Sequence, residues 1–176
     1  LRTEKGTLMS DTTTAPAAAD AATQAALERL NTVIDRLIAP DGCPWDSTQT
    51  PESLTEYVIE ECHELVDAIR SGKTADMVEE LGDVAFLILM IGKLMARAGG
   101  PSLADALEVE AAKMVRRHPH VFSDTTYENQ SEQLKDWDRI KREEKAAADA
   151  EGPKGTYDSL PRGLPPLTKA YRIHSK

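Results

Sequence analysis

Five carboxylates at helical spacing are the residues of this chain best suited to chemistry. Glu60-Glu61-Cys62-His63-Glu64 is followed, after fifteen residues, by Glu80-Leu81-Gly82-Asp83. At about 100° per residue, Glu61 and Glu64 share one surface of a helix, and Glu80 and Asp83 share one surface of a second. Two antiparallel helices joined at Ser71-Gly72-Lys73 would bring these four acids together. An all-oxygen donor set of this kind suits Mg²⁺, with Mn²⁺ as a substitute. The competing reading is a solvated acidic face. Position on the helical wheel opposes it. Leu54, Val58, Cys62, Leu65 and Ile69 make the expected apolar stripe of the first helix, and Glu61 falls about 20° from Leu54. Met77, Leu81, Val84, Ile88, Ile91 and Met95 make the expected stripe of the second, with Glu80 beside it. A carboxylate at the edge of a core is costly unless it is paired or bound to metal.

A cationic group lies further along. Lys113 and Arg117, four residues apart, flank Glu110, with Arg116 adjacent. They read either as ion pairs tethering Glu110 or as a phosphate clamp, for which the arginine fork is well shaped. Trp45, in Gly42-Cys43-Pro44-Trp45-Asp46, either caps the core or walls a substrate pocket. Trp137 either packs or stacks on a base. His118 and His120 flank Pro119, but too few further ligands lie nearby for a second metal site.

Composition narrows the classes. The 176 residues suffice for one domain with a real core. They are 40% hydrophobic, 29% charged and 5% aromatic, with few β-branched runs, which favours an all-α fold. A net charge of −9 argues against a nucleic-acid surface. The most apolar run, Val84 to Ile91, is too short for a membrane span of about 20 residues. Two cysteines without a CxxC pattern, and no visible signal peptide, fit a reducing cytoplasm.

The elements that must position these residues follow from periodicity and caps. Residues 1–22 read as a disordered leader, within which Met9 offers a natural start. Residues 23–150 read as one all-α domain of about five helices. The first runs from Thr23 to Ile38, and the second from Pro51 to Arg70 with Thr50 as its cap. The third runs to Arg97, capped by Thr74, and the fourth from Ser102 to His118, with Leu103, Leu107, Ala111 and Met114 turned to the core. A loop over Phe122 to Glu128 leads to a fifth helix from Asn129, edged by Leu134, Trp137 and Ile140. Residues 151–176 read as a Gly- and Pro-rich linker and the start of a further helix. Val84 to Ile91 is apolar on every face, so the helix carrying it is expected to be buried on every face. A chain this small needs a second copy to do that, which predicts a homo-oligomer, dimer or tetramer.

The acidic motif is similar to that of the MazG-type, all-α nucleoside triphosphate pyrophosphohydrolases. Three further stretches resemble MazG proteins: Gly42-Cys43-Pro44-Trp45-Asp46 with Gln49-Thr50, Arg116-Arg117-His118-Pro119-His120-Val121-Phe122, and Leu160-Pro161-Arg162-Gly163-Leu164-Pro165. Together they cover about residues 25–173. The resemblance implies Mg²⁺-dependent hydrolysis of nucleoside triphosphates between the α and β phosphorus, giving monophosphate and pyrophosphate. It implies metal ligands at Glu61, Glu64, Glu80 and Asp83, and nucleotide contacts at Lys113, Arg116, Arg117 and Trp137. Glu60, Glu61, Lys113 and Arg117 form the implied catalytic group, with Glu60 as ligand, outer-sphere acid or water-activating base. Many MazG proteins carry two copies of this domain, and the linker resembles the join between them. No GxxxxGK[ST] is present, so this is not a Walker-type NTPase. Two rivals stand beside this reading. A di-iron bundle would need a second ExxH to match Glu60-x-x-His63, and a helical interaction or nucleotide-binding domain would need no catalysis.

Overall fold

The computed structural model describes residues 14–148, 160–161 and 163–174, and every regular element among them is helical. They are α1 (Thr14–Leu37), α2 (Thr55–Ser71), α3 (Thr74–Arg97), α4 (Leu103–Arg117), α5 (Pro119–Phe122), α6 (Gln130–Ala148) and α7 (Pro166–His174), with a 3₁₀ turn at Asp46–Thr48. The five expected helices correspond to α1, α2, α3, α4 and α6. Most of the expected leader and linker lies outside the described residues. The chain divides into two compact units, Leu1–Leu107 and Glu108–Lys176.

In the first unit α3 is the central element, packed along α2 and against α1. Its buried face, Leu87, Met90 and Leu94, meets Ile34 of α1, Ile38 just after it and Leu54 ahead of α2. Burying side chains of this size contributes about 1.5–3 kcal/mol each. Gly92 lets Leu103 approach: a Cβ there would stand 2.7 Å from the Leu103 Cβ. Arg97, at the end of α3, donates from Nη1 to the Ile38 carbonyl (2.6 Å) and from Nη2 to the Ser47 carbonyl (3.2 Å). These bonds pin the loop that carries Trp45.

The α2–α3 connection is Gly72 and Lys73. Gly72 ends α2 in the left-handed region (φ 71°), where only glycine avoids a steric cost, and its N–H donates to the Ile69 carbonyl. So short a turn sends α3 back along α2.

Several expectations are corrected. Helix α1 begins at Thr14, nine residues before the expected Thr23, because Ala15, Ala17, Ala18 and Ala19 are strong helix formers even without a periodic apolar face. Regular α2 begins at Thr55, not Pro51; Thr50 and Ser53 still exchange backbone-to-side-chain hydrogen bonds of 3.0 and 3.2 Å, but they close a turn. Thr74 lies inside α3, and Lys73 holds the cap position without a side-chain bond. Ser102 does cap α4, its hydroxyl accepting from the Asp105 N–H while the Asp105 carboxylate accepts from Ser102. The short α5 falls at the Pro119 turn and reaches Phe122, where the loop was expected to begin.

The expected α3 stripe is right in part: Met77, Val84 and Ile91 are half-buried, with Ile91 against the core, but the other three members are not. Leu81 (59% exposed), Ile88 (48%) and Met95 lie open, while Leu87, Leu89, Met90 and Leu94 are buried. A helix apolar all round offers more than one face to the core, and the neighbours choose. On α2, Cys62 and Ile69 are exposed and Ala68 is buried. On α4, Leu103 packs against the core, but Leu107 and Ala111 are exposed.

Candidate active site

The buried register of α2 decides the fate of its acids. Leu54, Val58, Leu65 and Ala68 turn inward at heptad-like spacing, and Glu61 occupies the place between Val58 and Leu65. Glu80 sits in the same way on α3, between Met77 and Val84, and both acids are half-buried. Glu64 and Glu80 each lie eight residues from Gly72, and Glu61 and Asp83 each lie eleven. In an antiparallel hairpin turning at Gly72, equal distances from the turn mean opposite positions.

Glu61, Glu64 and Glu80 accordingly bring one carboxylate oxygen each within 4.8 Å of one another. Asp83 stands outside that trio, exposed but close enough to act on Glu61 and Glu80 through its charge. Glu60 is exposed and acts on Glu61 in the same way. Loss of hydration, followed by the charges of Glu64, Asp83 and Glu60, raises the Glu61 carboxyl above its ordinary value. Glu80 is raised by loss of hydration, then by Glu64, Glu79, Glu61 and Asp83. Carboxylates gathered without a counter-charge resist ionisation, and a hard cation removes that penalty. Three convergent oxygen donors with two more acids beside them fit Mg²⁺ or Mn²⁺.

A hollow of about 190 Å³ opens beside these acids, lined by Trp45, Leu54, Tyr57, Glu61, Asp83, Phe86 and Leu87. Trp45 is 49% exposed and meets Tyr57 edge-on at 5.6 Å, so it walls this hollow instead of capping the core. Tyr57 and Phe86 were not singled out from the sequence. The signal was present, because Tyr57 precedes Glu61 by four residues and shares its face. A larger hollow of about 500 Å³, lined among others by Gln49, Pro51, Arg97 and Gly100, lies at the far end of α3 and touches none of the candidate ligands. Chemistry, not size, selects the smaller one.

The second unit holds the cations. Lys113 pairs with Glu110, but Arg117 does not. Arg117 and Arg116 both bind Glu144 of α6, which sequence reasoning missed although it follows Trp137 by seven residues. Arg117 also lines a hollow of about 160 Å³ with His118, Gln133, Leu134 and Trp137. Lys141 lies 4.3 Å from the centre of the Trp137 ring, a cation–π contact. His118 Nδ1 lies 2.7 Å from the Met114 carbonyl and His120 Nε2 lies 3.1 Å from the Gln133 amide. Among the described residues, the only ligand cluster with metal spacing is the glutamate trio. Cys43 and Cys62 are free thiols, and no described helix is long and apolar enough to cross a membrane.

Known proteins are similar to this chain. The profile of the MazG nucleotide pyrophosphohydrolase domain matches residues 49–122. A nucleoside triphosphate pyrophosphohydrolase of Escherichia coli (strain K12) is 37% identical over 151 residues, 85% of this chain and 56% of that protein. An uncharacterized protein of Bacillus subtilis (strain 168), YabN, is 40% identical over 141 residues, 80% of this chain and 28% of that protein. The chain thus spans between about a quarter and a little over half of these relatives. The crystal structure of a mazG-related protein from Thermotoga maritima aligns with a TM-score of 0.56 and 29% identity, covering 65% of this chain and 98% of that one. Through its acidic hairpin and the residues around it, the chain belongs to the MazG nucleotide pyrophosphohydrolase domain family.

Proposed function

We propose that this domain hydrolyses nucleoside triphosphates, ribo- or deoxyribo-, at the α–β phosphoanhydride bond, releasing monophosphate and pyrophosphate. The observation that carries the reading is the convergence of Glu61, Glu64 and Glu80 within 4.8 Å beside an aromatic hollow. In this reading those three glutamates and Asp83 hold Mg²⁺, which when bound neutralises phosphate charge and lowers the pKa of the attacking water. Glu60, exposed and next to Glu61 in the chain, is a further ligand, an outer-sphere acid or the water-activating base. Trp45 and Tyr57 supply flat surfaces for a base, and stacking of this kind accepts any base because each presents a π-face. Lys113, Arg116 and Arg117 receive the outer phosphates, and Trp137 offers a further stacking ring. No protein nucleophile is required, because phosphoryl transfer depends chiefly on positioning and charge stabilisation.

The same reading includes a homo-oligomer. Val78, Leu81, Ile88 and Met95 leave an apolar stripe of α3 uncovered, and Ile59, Val66 and Ile69 do so on α2. A second copy laid along these stripes would remove them from water.

The test is product analysis. The protein is incubated with Mg²⁺ and each NTP and dNTP, and products are separated by anion exchange beside the E61Q/E64Q double variant. Monophosphate and pyrophosphate from the wild type alone are the expected result. Diphosphate with orthophosphate, or binding without turnover, would overturn the proposal.

A further inference from the structure

Arg116 and Arg117 are consecutive residues of α4, so their side chains leave the helix about 100° apart. Neighbours at this spacing do not face each other, and two guanidiniums also repel. Yet their head groups meet on one carboxylate. Arg116 Nε donates to Glu144 Oε1 (3.1 Å), with Nη2 also 3.1 Å from that oxygen. Arg117 Nε donates to Glu144 Oε2 (2.9 Å), with Nη2 at 2.7 Å. Each guanidinium therefore spends one edge on one oxygen. The Arg117 and Glu144 side chains are only 18% and 22% exposed, so this junction is shielded from water. It lies on the α6 face that carries Trp137, since Glu144 follows Trp137 by seven residues and Arg117 lines the Trp137 hollow.

We propose that Glu144 is a positioning residue that gathers Arg116 and Arg117 into a single two-armed receptor for the polyphosphate tail of the substrate. This rests on the functional reading above and extends it to a residue that touches no substrate. Two guanidiniums on one carboxylate retain a net positive charge, and their remaining N–H groups are available to phosphate oxygens. Without Glu144, the arms diverge along their helical directions and each offers phosphate an isolated, mobile charge.

The experiment measures binding of inorganic pyrophosphate to the full chain by calorimetry, and KM and kcat with a nucleoside triphosphate, for wild type, E144Q and E144D. E144Q keeps the side-chain volume and removes the charge. It is expected to weaken pyrophosphate binding and raise KM by about tenfold, as for loss of charge-assisted contacts, with a much smaller change in kcat. E144D, which keeps the charge one methylene further back, is expected to recover part of the loss and serves in its own right if E144Q does not fold. In an R116Q/R117Q background, E144Q is expected to add nothing. Unchanged or tighter pyrophosphate binding in E144Q would overturn the proposal and make Glu144 a competitor of phosphate. An equal effect of E144Q in the double-arginine background would overturn it too. Failure of the wild type to cleave any nucleotide would instead defeat the functional reading, independently of the pyrophosphate result.

Discussion

Glu61 and Glu80 are held towards their protonated forms, above the ordinary value of 4.5, by lost hydration and by neighbouring carboxylates. The folded state thus binds these protons more tightly than the unfolded chain does. Their favourable contribution is complete below about pH 4.5 and is lost as the pH rises through the raised folded values. At neutral pH without metal, the cluster opposes folding. Removing one charge with E80Q is expected to raise the melting temperature in EDTA at pH 7 by a few degrees, and to have little effect near pH 4. The same variant should lose the stabilisation by Mg²⁺ expected of the wild type, about 2.7 kcal/mol when the ion is at a hundred times its Kd. Thermal melts across pH, with and without Mg²⁺, check both statements; equal melting temperatures in EDTA would contradict the first. Trp45 makes a separate prediction. If its exposed ring receives the base, W45A should cost about 1–3 kcal/mol of substrate binding, seen as a KM raised at least severalfold. Steady-state kinetics on purified protein would settle it.

At the level of elements, legibility depended on how distinctive each helical face was. The α2 acids were readable because Glu61 repeats the phase of Leu54, and the structure turns both inward. Asp83, one step off the phase that buries Glu80, remains exposed and outside the trio. The core face of α3 was not readable, because Val84 to Ile91 gives no polar residue to mark the outside. Tertiary contact with Ile34, Ile38 and Leu54 made that choice, and no local pattern encodes it. Glu144 was missed for a similar reason: within the Lys/Glu run of α6 it differs from its neighbours only by what faces it. The hairpin itself was legible in Ser71-Gly72-Lys73, and it makes a prediction. Gly72 holds a positive φ with no atom near its missing Cβ, so G72A should lose about 1–2 kcal/mol through backbone strain alone. At Gly92 the backbone is helical but Leu103 is in the way, and G92A should cost about 1–3 kcal/mol through overpacking. Denaturant unfolding of the two variants gives both values.

For the whole molecule, the expected all-helical class is what the described residues show, and the hairpin lies inside residues 49–122, which match the MazG nucleotide pyrophosphohydrolase domain. The proposed association of copies has a direct check. I88D places a charge in the middle of the uncovered α3 stripe, away from the buried core. It should shift the protein to monomer in size-exclusion chromatography with light scattering while leaving the helical circular dichroism intact. An unchanged assembly would exclude that stripe as the interface.

Every proposed metal ligand lies between Glu61 and Asp83, on one hairpin closed by Gly72. Contacts so near in sequence require little loop-closure entropy, and helical pairs of this kind form early on the folding pathway. The donor cluster is therefore able to assemble before α4 or α6 has formed, and even while the C-terminal half is still leaving the ribosome. An ion captured at that stage would hold the two helices together against the repulsion of their own acids. Magnesium would then act on this chain as an accelerator of refolding, ahead of any encounter with a nucleotide.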